Sequence, residues 1–318
     1  MASINHRIPD NIAFFCCASF EKRCKNISFA LNESKVKYAY VFYDCAYTSS
    51  AVVSEISGRL PNCETKQVDM KNPIEVADIF AKVVEKIQNN KIENIVIDIT
   101  TFTHEWLLIL LKILRSYKNT FKQILCMYTG AESYGGTAVP PEQKWLSKGC
   151  KDVRNILGYP GILRPSEKIC LILLAGFEME RATRLIELIE PDRIAIGHGI
   201  DPTNAKLKNT MDFFVKKFNE WKDEYRNRNC ENFEFSCKNI FSAVKAIEDI
   251  IIKKPNDNYI LVPLNTKLST IASALVAFQN PKIQLCYSIP EEYNIENYST
   301  PGNKITVFNL NDTELFTK

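Results

Sequence analysis

The sequence predicts an α/β protein made of two tandem doubly wound, Rossmann-like (flavodoxin-like) parallel-sheet units that together form a pseudo-dimer. Three observations predict it. Short apolar runs alternate with longer segments of helical period, the pattern of βα units whose sheet is covered on both faces. The stretch Ala18-Ser19-Phe20-Glu21-Lys22-Arg23, after the apolar run from Ile12 to Cys17, returns as Ala175-Gly176-Phe177-Glu178-Met179-Glu180-Arg181 after Ile169 to Leu174. A second pair agrees with it. The run from Asn94 through Asp98 to Thr101, followed by Cys126-Met127-Tyr128 and Glu132-Ser133-Tyr134, parallels Tyr259 through Pro263 to Thr266, then Cys286-Tyr287 and Glu291-Glu292-Tyr293.

In chain order, apolar runs at 12–17, 38–43, 65–68, 94–98 and 122–128 read as the strands of the first copy. Segments of helical period at 21–32, 51–60, 74–89 and 103–117 lie between them. The most apolar stretch, Trp106 to Leu114, includes Lys112 and is far shorter than the roughly 20 residues that span a bilayer, so it reads as a buried helix. The second copy repeats the scheme, with strands at 169–174, 192–197, 232–235, 258–262 and 282–287 and helices at 178–190, 206–228, 239–253 and 267–279. A last run from Lys304 to Asn309, alternating at Ile305 and Val307, adds an edge strand. The expected division is therefore a first domain at 1–134, a connector at 135–168 and a second domain at 169–318. The connector is broken by Gly135-Gly136, Pro140-Pro141 and Pro160-Gly161, yet Trp145, Leu146, Ile156, Leu157 and Tyr159 give it groups to bury. It is expected to pack, with a lid as one role.

Composition limits the function classes. A chain of 318 residues, 46% hydrophobic, can bury two cores of ordinary size. Lys and Arg outnumber Asp and Glu by only 40 to 37, so no net field draws it to nucleic acid or anionic membranes, and direct nucleic-acid binding stays open. The 11 cysteines form no C-x-x-C pair and sit mostly in apolar runs, the usage of a small buried hydrophobe in a reducing compartment. The polar stretch Met1 to Asn11 lacks the apolar core of a signal peptide, so a cytoplasmic location without membrane association is expected. Phosphate-loop, G-x-G-x-x-G, G-x-S-x-G, H-E-x-x-H and spaced zinc-ligand signatures are absent, and no cofactor or metal is assigned.

The candidate site residues fall at the carboxyl ends of the predicted strands, where open parallel sheets bind ligands. After the first strand, Ser19, Glu21 and Arg23 match Gly176, Glu178 and Arg181. Glu178 and Arg181 are i,i+3 neighbours able to pair on one helix face, whereas Glu21 and Arg23 at i,i+2 are not. Both carboxylates also suit a helix N-terminus, with the arginines as surface partners. After the fourth strand, Asp98 leads into Thr100 and Thr101, and the matching site of the second copy reads Asn265, Thr266 and Lys267. Hydroxyls, an amide and an ammonium before a helix suit a phosphate or a polar nucleotide edge, and helix capping explains some of them equally. After the second strand, Asp44 is set against His198 and Asp201, a pair suited to proton transfer or phosphate contact, or to a plain Gly-flanked turn. Tyr287, among several strand-end tyrosines, offers a stacking face, and Cys16-Cys17 reads as packing.

The stretch from Val262 through Asn265-Thr266-Lys267 to Ala272 resembles the strand-to-helix motif of CARF domains, the Rossmann-like sensors of prokaryotic immune systems, and Asp98-Ile99-Thr100-Thr101 is similar to it. That family has paired glycines there, which both copies here lack, and only the second copy has the Lys. That family binds cyclic oligoadenylates with this loop, and the resemblance implies a sensor class, not a particular ligand, within an antiviral defence system and working with a partner protein. Three readings follow. One is a regulatory protein binding a nucleotide-like or phosphorylated small molecule, with a protein partner or homo-oligomer. The second is a nucleotide- or nucleic-acid-processing hydrolase with Glu21, Asp98, Glu178 or His198 as catalytic candidates. The third is a catalytically silent scaffold subunit. The polar strand ends differ between the copies, Ser19 against Gly176, Asp44 against His198 and Asp98 against Pro263, so a single asymmetric crevice is expected, resting mainly on the second copy.

Overall fold

A computed structural model describes residues 4–202, 204–223, 225, 229–313, 315 and 316. The first sheet draws on β1 (Ile12–Cys17), β2 (Val36–Tyr43), β3 (Cys63–Gln67), β4 (Asn94–Asp98) and β5 (Gln123–Tyr134). Between them run α1 (Asn26–Ala30), α2 (Ser50–Ser57), α3 (Pro73–Asn89) and α4 (His104–Ser116). There follow β6 (Ser147–Lys148), β7 (Asp152–Pro160), β8 (Ile169–Ala175), α5 (Met179–Ile189), β9 (Arg193–Ile200) and α6 (Lys208–Lys222). Then come β10 (Cys230–Ser236), α7 (Ile240–Lys253), β11 (Asn258–Pro263), α8 (Lys267–Gln279), β12 (Ile283–Ile289), β13 (Glu292–Tyr293) and β14 (Ser299–Asn309). No helix among the described residues is long and apolar enough to cross a membrane.

Two sheets of six strands result, ordered β14-β5-β4-β1-β2-β3 and β10-β9-β8-β11-β12-β7. Renumbered within each unit, both read 3-2-1-4-5, the dinucleotide-binding order, and not the flavodoxin-like 2-1-3-4-5. The reason lies in the third strand. A flavodoxin-like order would bury it on both faces, which demands a continuous apolar run. Here β3 reads Cys-Glu-Thr-Lys-Gln and β10 begins Cys-Glu-Asn-Phe-Glu, both half-exposed along most of their length, so each lies at an edge.

The chain divides into compact units of 1–131 with 300–318, and 132–299. The boundaries expected at 134 and 169 are thus corrected in two places. The C-terminal run expected to border the second sheet lies beside β5 in the first, where Ile305 and Val307 pack on the core of Phe14, Cys16, Val96 and Met127. The stretch 135–168 belongs to the second unit: β7 runs antiparallel to β12, and β6 pairs with β13. Another expectation also fails, since 21–32 is not one helix but a 3-10 turn, Lys22–Lys25, leading into the five-residue α1. Arg23 and Cys24 of that turn are drawn inward, which a continuous surface helix would not allow. The helix expected at 206–228 starts as the turn Ala205–Leu207 and α6, and its far end includes positions outside the described residues.

Each unit is layered as the periodicity requires. In the first, Phe14, Cys16, Val41 and Val96 meet Ile27 and Ile56 on one face, while Phe15, Phe42, Phe80, Phe102 and Trp106 form an aromatic layer of edge-to-face and tilted contacts on the other. In the second, Leu171, Leu173, Ile194 and Ile196 pack against Ala182, Leu185, Phe218 and Trp221. The four-residue capping pattern is met as well: Thr103 accepts the N–H of Trp106 to start α4, and Thr266 that of Ser269 to start α8.

The registers put the units on one scale. Phe15 lies opposite Ile97 and Ile97 opposite Cys126, as Ile172 lies opposite Leu261 and Leu261 opposite Leu285. Counting on from these pairs, Asp98 corresponds to Val262, not to Pro263, and Tyr128-Thr129 to Tyr287-Ser288. Phe15 opposite Tyr40 and Ile172 opposite Ala195 likewise set Tyr43, not Asp44, against His198.

Gly176 shows how tightly the second unit closes at β8. A Cβ there would lie 2.1 Å from the Leu264 carbonyl oxygen, a backbone atom. Gly176→Ala is expected to cost about 2 kcal/mol or more in urea unfolding, within or above the usual range for overpacking, whereas Ser19→Ala at the matching place in the first unit costs under about 1 kcal/mol.

Candidate functional site

The candidate residues after the first strands form the same construction in both units. In the first, the 3-10 turn swings Arg23 under the strand ends, leaving it 3% exposed. Its guanidinium donates to Glu21 at 2.5 and 2.8 Å and to the Thr129 carbonyl at 3.0 Å, and lies 6.0 Å from the centre of the Tyr128 ring. The i,i+2 spacing does not separate the pair, because Glu21 is extended, at φ −70° and ψ 125°, and helix spacing rules do not govern it. Ser19 accepts the N–H of Glu21 at 3.3 Å and so shapes this turn.

In the second unit the pair sits at the start of α5. Arg181, also 3% exposed, donates to Glu178 at 2.5 Å, to the Ser288 hydroxyl at 3.2 Å and to the Ser288 carbonyl, 5.4 Å from the Tyr287 ring centre. Ser147, from the stretch expected to be a connector, donates to the other Glu178 oxygen at 2.5 Å. Burial works against the Arg181 charge, and Glu178 outweighs it and raises the pKa. Neither arginine is a surface partner. Sequence reasoning missed Thr129, Ser288 and Ser147, although the signal for two of them was present as a Tyr-hydroxyl dipeptide at the same place in each fifth strand.

The residues after the fourth strand are also turned inward. Thr101 donates to the Cys17 carbonyl at 2.5 Å, and Thr100 accepts the Thr129 N–H at 3.0 Å. Asn265 donates to the Ala175 carbonyl and accepts from the Cys237 thiol at 3.5 Å. Thr266 caps α8 and Lys267, half-buried, is its first residue. Asp98 is different. One oxygen accepts the Thr100 N–H at 3.0 Å and the other, buried, accepts no hydrogen bond. Burial pushes its carboxyl up to about 7, against the pull of Thr100 and of the Arg23 charge.

After the second strands, Asp201 accepts from Ser236 at 2.9 Å and from the Cys237 N–H at 2.9 Å, tying the end of β9 to the end of β10. Asp44 does the same work in the first unit, accepting the N–H groups of Ala46 at 2.8 Å and Met70 at 2.9 Å. The aspartates are therefore each other's counterparts. His198, buried, sits on the α6 face of the sheet near Phe218 and forms part of the floor of a cavity of about 630 Å³. Lys208, Met211, Asp212, Val215 and Asn219 of α6 wall one side, and Asn232 and Glu234 of the edge strand wall the other. Lys208 begins α6, which continues the 3-10 turn Ala205–Leu207; Asn204 caps that turn, and the Lys208 N–H donates to the Ala205 carbonyl. No local pattern marks Asn219 and Asn232, since residues on a helix and an edge strand meet only in the fold.

Among the described residues, no group of three or more His, Cys, Asp or Glu side chains is placed to hold a metal ion. No protein-family model matches the chain, and no curated protein is significantly similar to it.

Two outcomes test this geometry. Arg23→Ala and Arg181→Ala each remove the cation that faces a buried carboxylate and are expected to lose about 3–5 kcal/mol in denaturant unfolding, while a joint Glu178→Gln, Arg181→Met change loses less than Arg181→Ala alone. Because Asp98 holds its proton more tightly folded than unfolded, the stability it contributes is full below the unfolded value near 3.8 and is lost as pH rises through about 7. Asp98→Asn should accordingly flatten the decline of melting temperature between about pH 4 and pH 7.

Proposed function

We propose that the chain is a regulatory ligand-binding protein of Rossmann-like type, arisen by internal duplication, whose second unit receives a nucleotide-like ligand in the cavity floored by His198. The cavity carries this reading. At about 630 Å³ it falls within the range of small-molecule sites, and it opens at the carboxyl end of parallel strands. Asp212, Glu234 and the hydrogen-bonded pair Asn219–Asn232 offer donors and acceptors for the hydroxyl and amino groups of a nucleoside, while the exposed Lys208 suits a phosphate. The duplication is supported by the shared strand order and by two Glu–Arg pairs closing on equivalent residues of the fifth strand.

The likeness of residues 262–272 to the CARF loop supports a sensor class, acting with a protein partner. That loop is a poor phosphate cradle in this chain, because Asn265 and Thr266 are engaged internally and the glycines are missing. The hydrolase reading is weakened for Glu21, Asp98 and Glu178 by their burial in internal contacts.

A thermal-shift and calorimetry panel of nucleosides, mononucleotides and cyclic oligonucleotides tests the reading. A binder at 100 times its Kd adds about 2.7 kcal/mol of stability, a plain rise in melting temperature. Asn232→Ala and Lys208→Ala are expected to weaken that binding about tenfold or more without unfolding the protein, as both are exposed. Absence of any shift at millimolar ligand, or binding untouched by both substitutions, overturns it. Turnover of a nucleotide by the purified chain would favour the hydrolase.

A further inference from the structure

The end of β4 in the first unit holds a polar cluster for which the second unit has no equivalent, since Val262 stands where Asp98 does. Asp98 is 1% exposed, and beside it Thr100 is 1%, Thr129 0% and Arg23 3% exposed. These groups form a chain: the Thr100 N–H bonds Asp98, the Thr129 N–H bonds the Thr100 hydroxyl oxygen, and Arg23 bonds the Thr129 carbonyl. Its two ends are unmatched, for neither the second Asp98 oxygen nor the Thr129 hydroxyl has a hydrogen-bond partner. A place so closed to solvent admits a proton far more readily than a larger ligand.

The charges around Asp98 decide what that proton controls. The groups that act on Asp98 or feel its charge are Arg23 and Cys24 of the 22–25 turn and Cys16 of β1. Burial pushes both thiols up, Cys24 to about 11, so they remain neutral near pH 7. Glu21 already neutralises Arg23 through two hydrogen bonds. A charge on Asp98 thus acts on the same guanidinium that Glu21 holds.

We propose that Asp98 and the Glu21–Arg23 pair form a proton-operated latch on the first unit. With Asp98 neutral, Arg23 holds Glu21 and the Thr129 carbonyl, and the turn is closed. When Asp98 gives its proton to water, Arg23 is shared between two carboxylates, its bond to Thr129 weakens and the turn over the strand ends loosens. The second unit, with the same kind of pair but Val262 in place of Asp98, has no carboxyl to operate such a latch.

Hydrogen exchange of the full-length chain from pH 5.5 to 8.5, corrected for the pH dependence of exchange chemistry itself, tests the latch. Amides of residues 21–25 are expected to lose protection through a midpoint near 7, while those of 178–182 do not. Asp98→Asn should abolish the transition, and Glu21→Gln, which releases Arg23 to Asp98, should lower its midpoint by about one to three pH units. Should Asp98→Asn not fold, Asp98→Val supplies the residue of the second unit, and carboxyl carbon NMR of the wild-type chain reads the titration directly. A pH-independent turn, an unchanged transition in the Asp98 variant, an unmoved midpoint in Glu21→Gln, or the absence of any aspartate titrating above pH 6 overturns the proposal.

Discussion

Each unit depends on a buried guanidinium that reaches from the turn after its first strand to the backbone of its fifth. In the 3-2-1-4-5 order the first and fifth strands are not neighbours, since the fourth lies between them. Arg23 and Arg181 bridge that gap, held by Glu21 and Glu178 and laid against Tyr128 and Tyr287. A buried ion pair contributes little net stability over an apolar substitute of the same shape, but removing one partner is costly. The pair thus acts as a constraint on how the turn meets the sheet, and the loop lengths, the carbonyls and the hydroxyls around it conform.

That constraint reassigns much of the polar chemistry. Residues that look poised for a ligand on sequence grounds are engaged in joining strands. Thr101 and Asn265 tie the fourth-strand loop to the first strand, and Asp44 and Asp201 tie the second-strand end to the third. A cavity lies further out, between α6 and the polar edge strand β10. The edge position of β10 is what opens it, because a strand with a neighbour on both sides leaves no such gap beside its outer residues.

The units share this frame and differ inside it. Gly176 lets Leu264 approach the second unit's turn to a distance Ser19 would not permit, and α5 begins at once. In the first unit Ser19 shapes a 3-10 turn instead, and Asp98 brings a carboxyl into a closed polar cluster. A single residue difference, Asp98 against Val262, makes one unit sensitive to protons in a place where the other is apolar.

The sequence by itself determined the alternation of strand and helix, the place of nearly every element, helix capping at Thr266 and the pairing of the first-strand motifs, while its pairing of the fourth-strand motifs was one residue out. These follow from periodicities of two and 3.6 residues and from hydrogen bonds between near neighbours, which local sequence encodes. It also carried, unread, the polar third strands that exclude a flavodoxin-like order. Only the tertiary structure decided that β14 joins the first sheet, that Ser147 serves Glu178, that Glu21 and Arg23 meet despite their spacing, and that His198 shares a cavity with Asn219 and Asn232. Each of these is a contact between segments whose approach is set by strand order and register. Nothing in the local pattern of either segment specifies it.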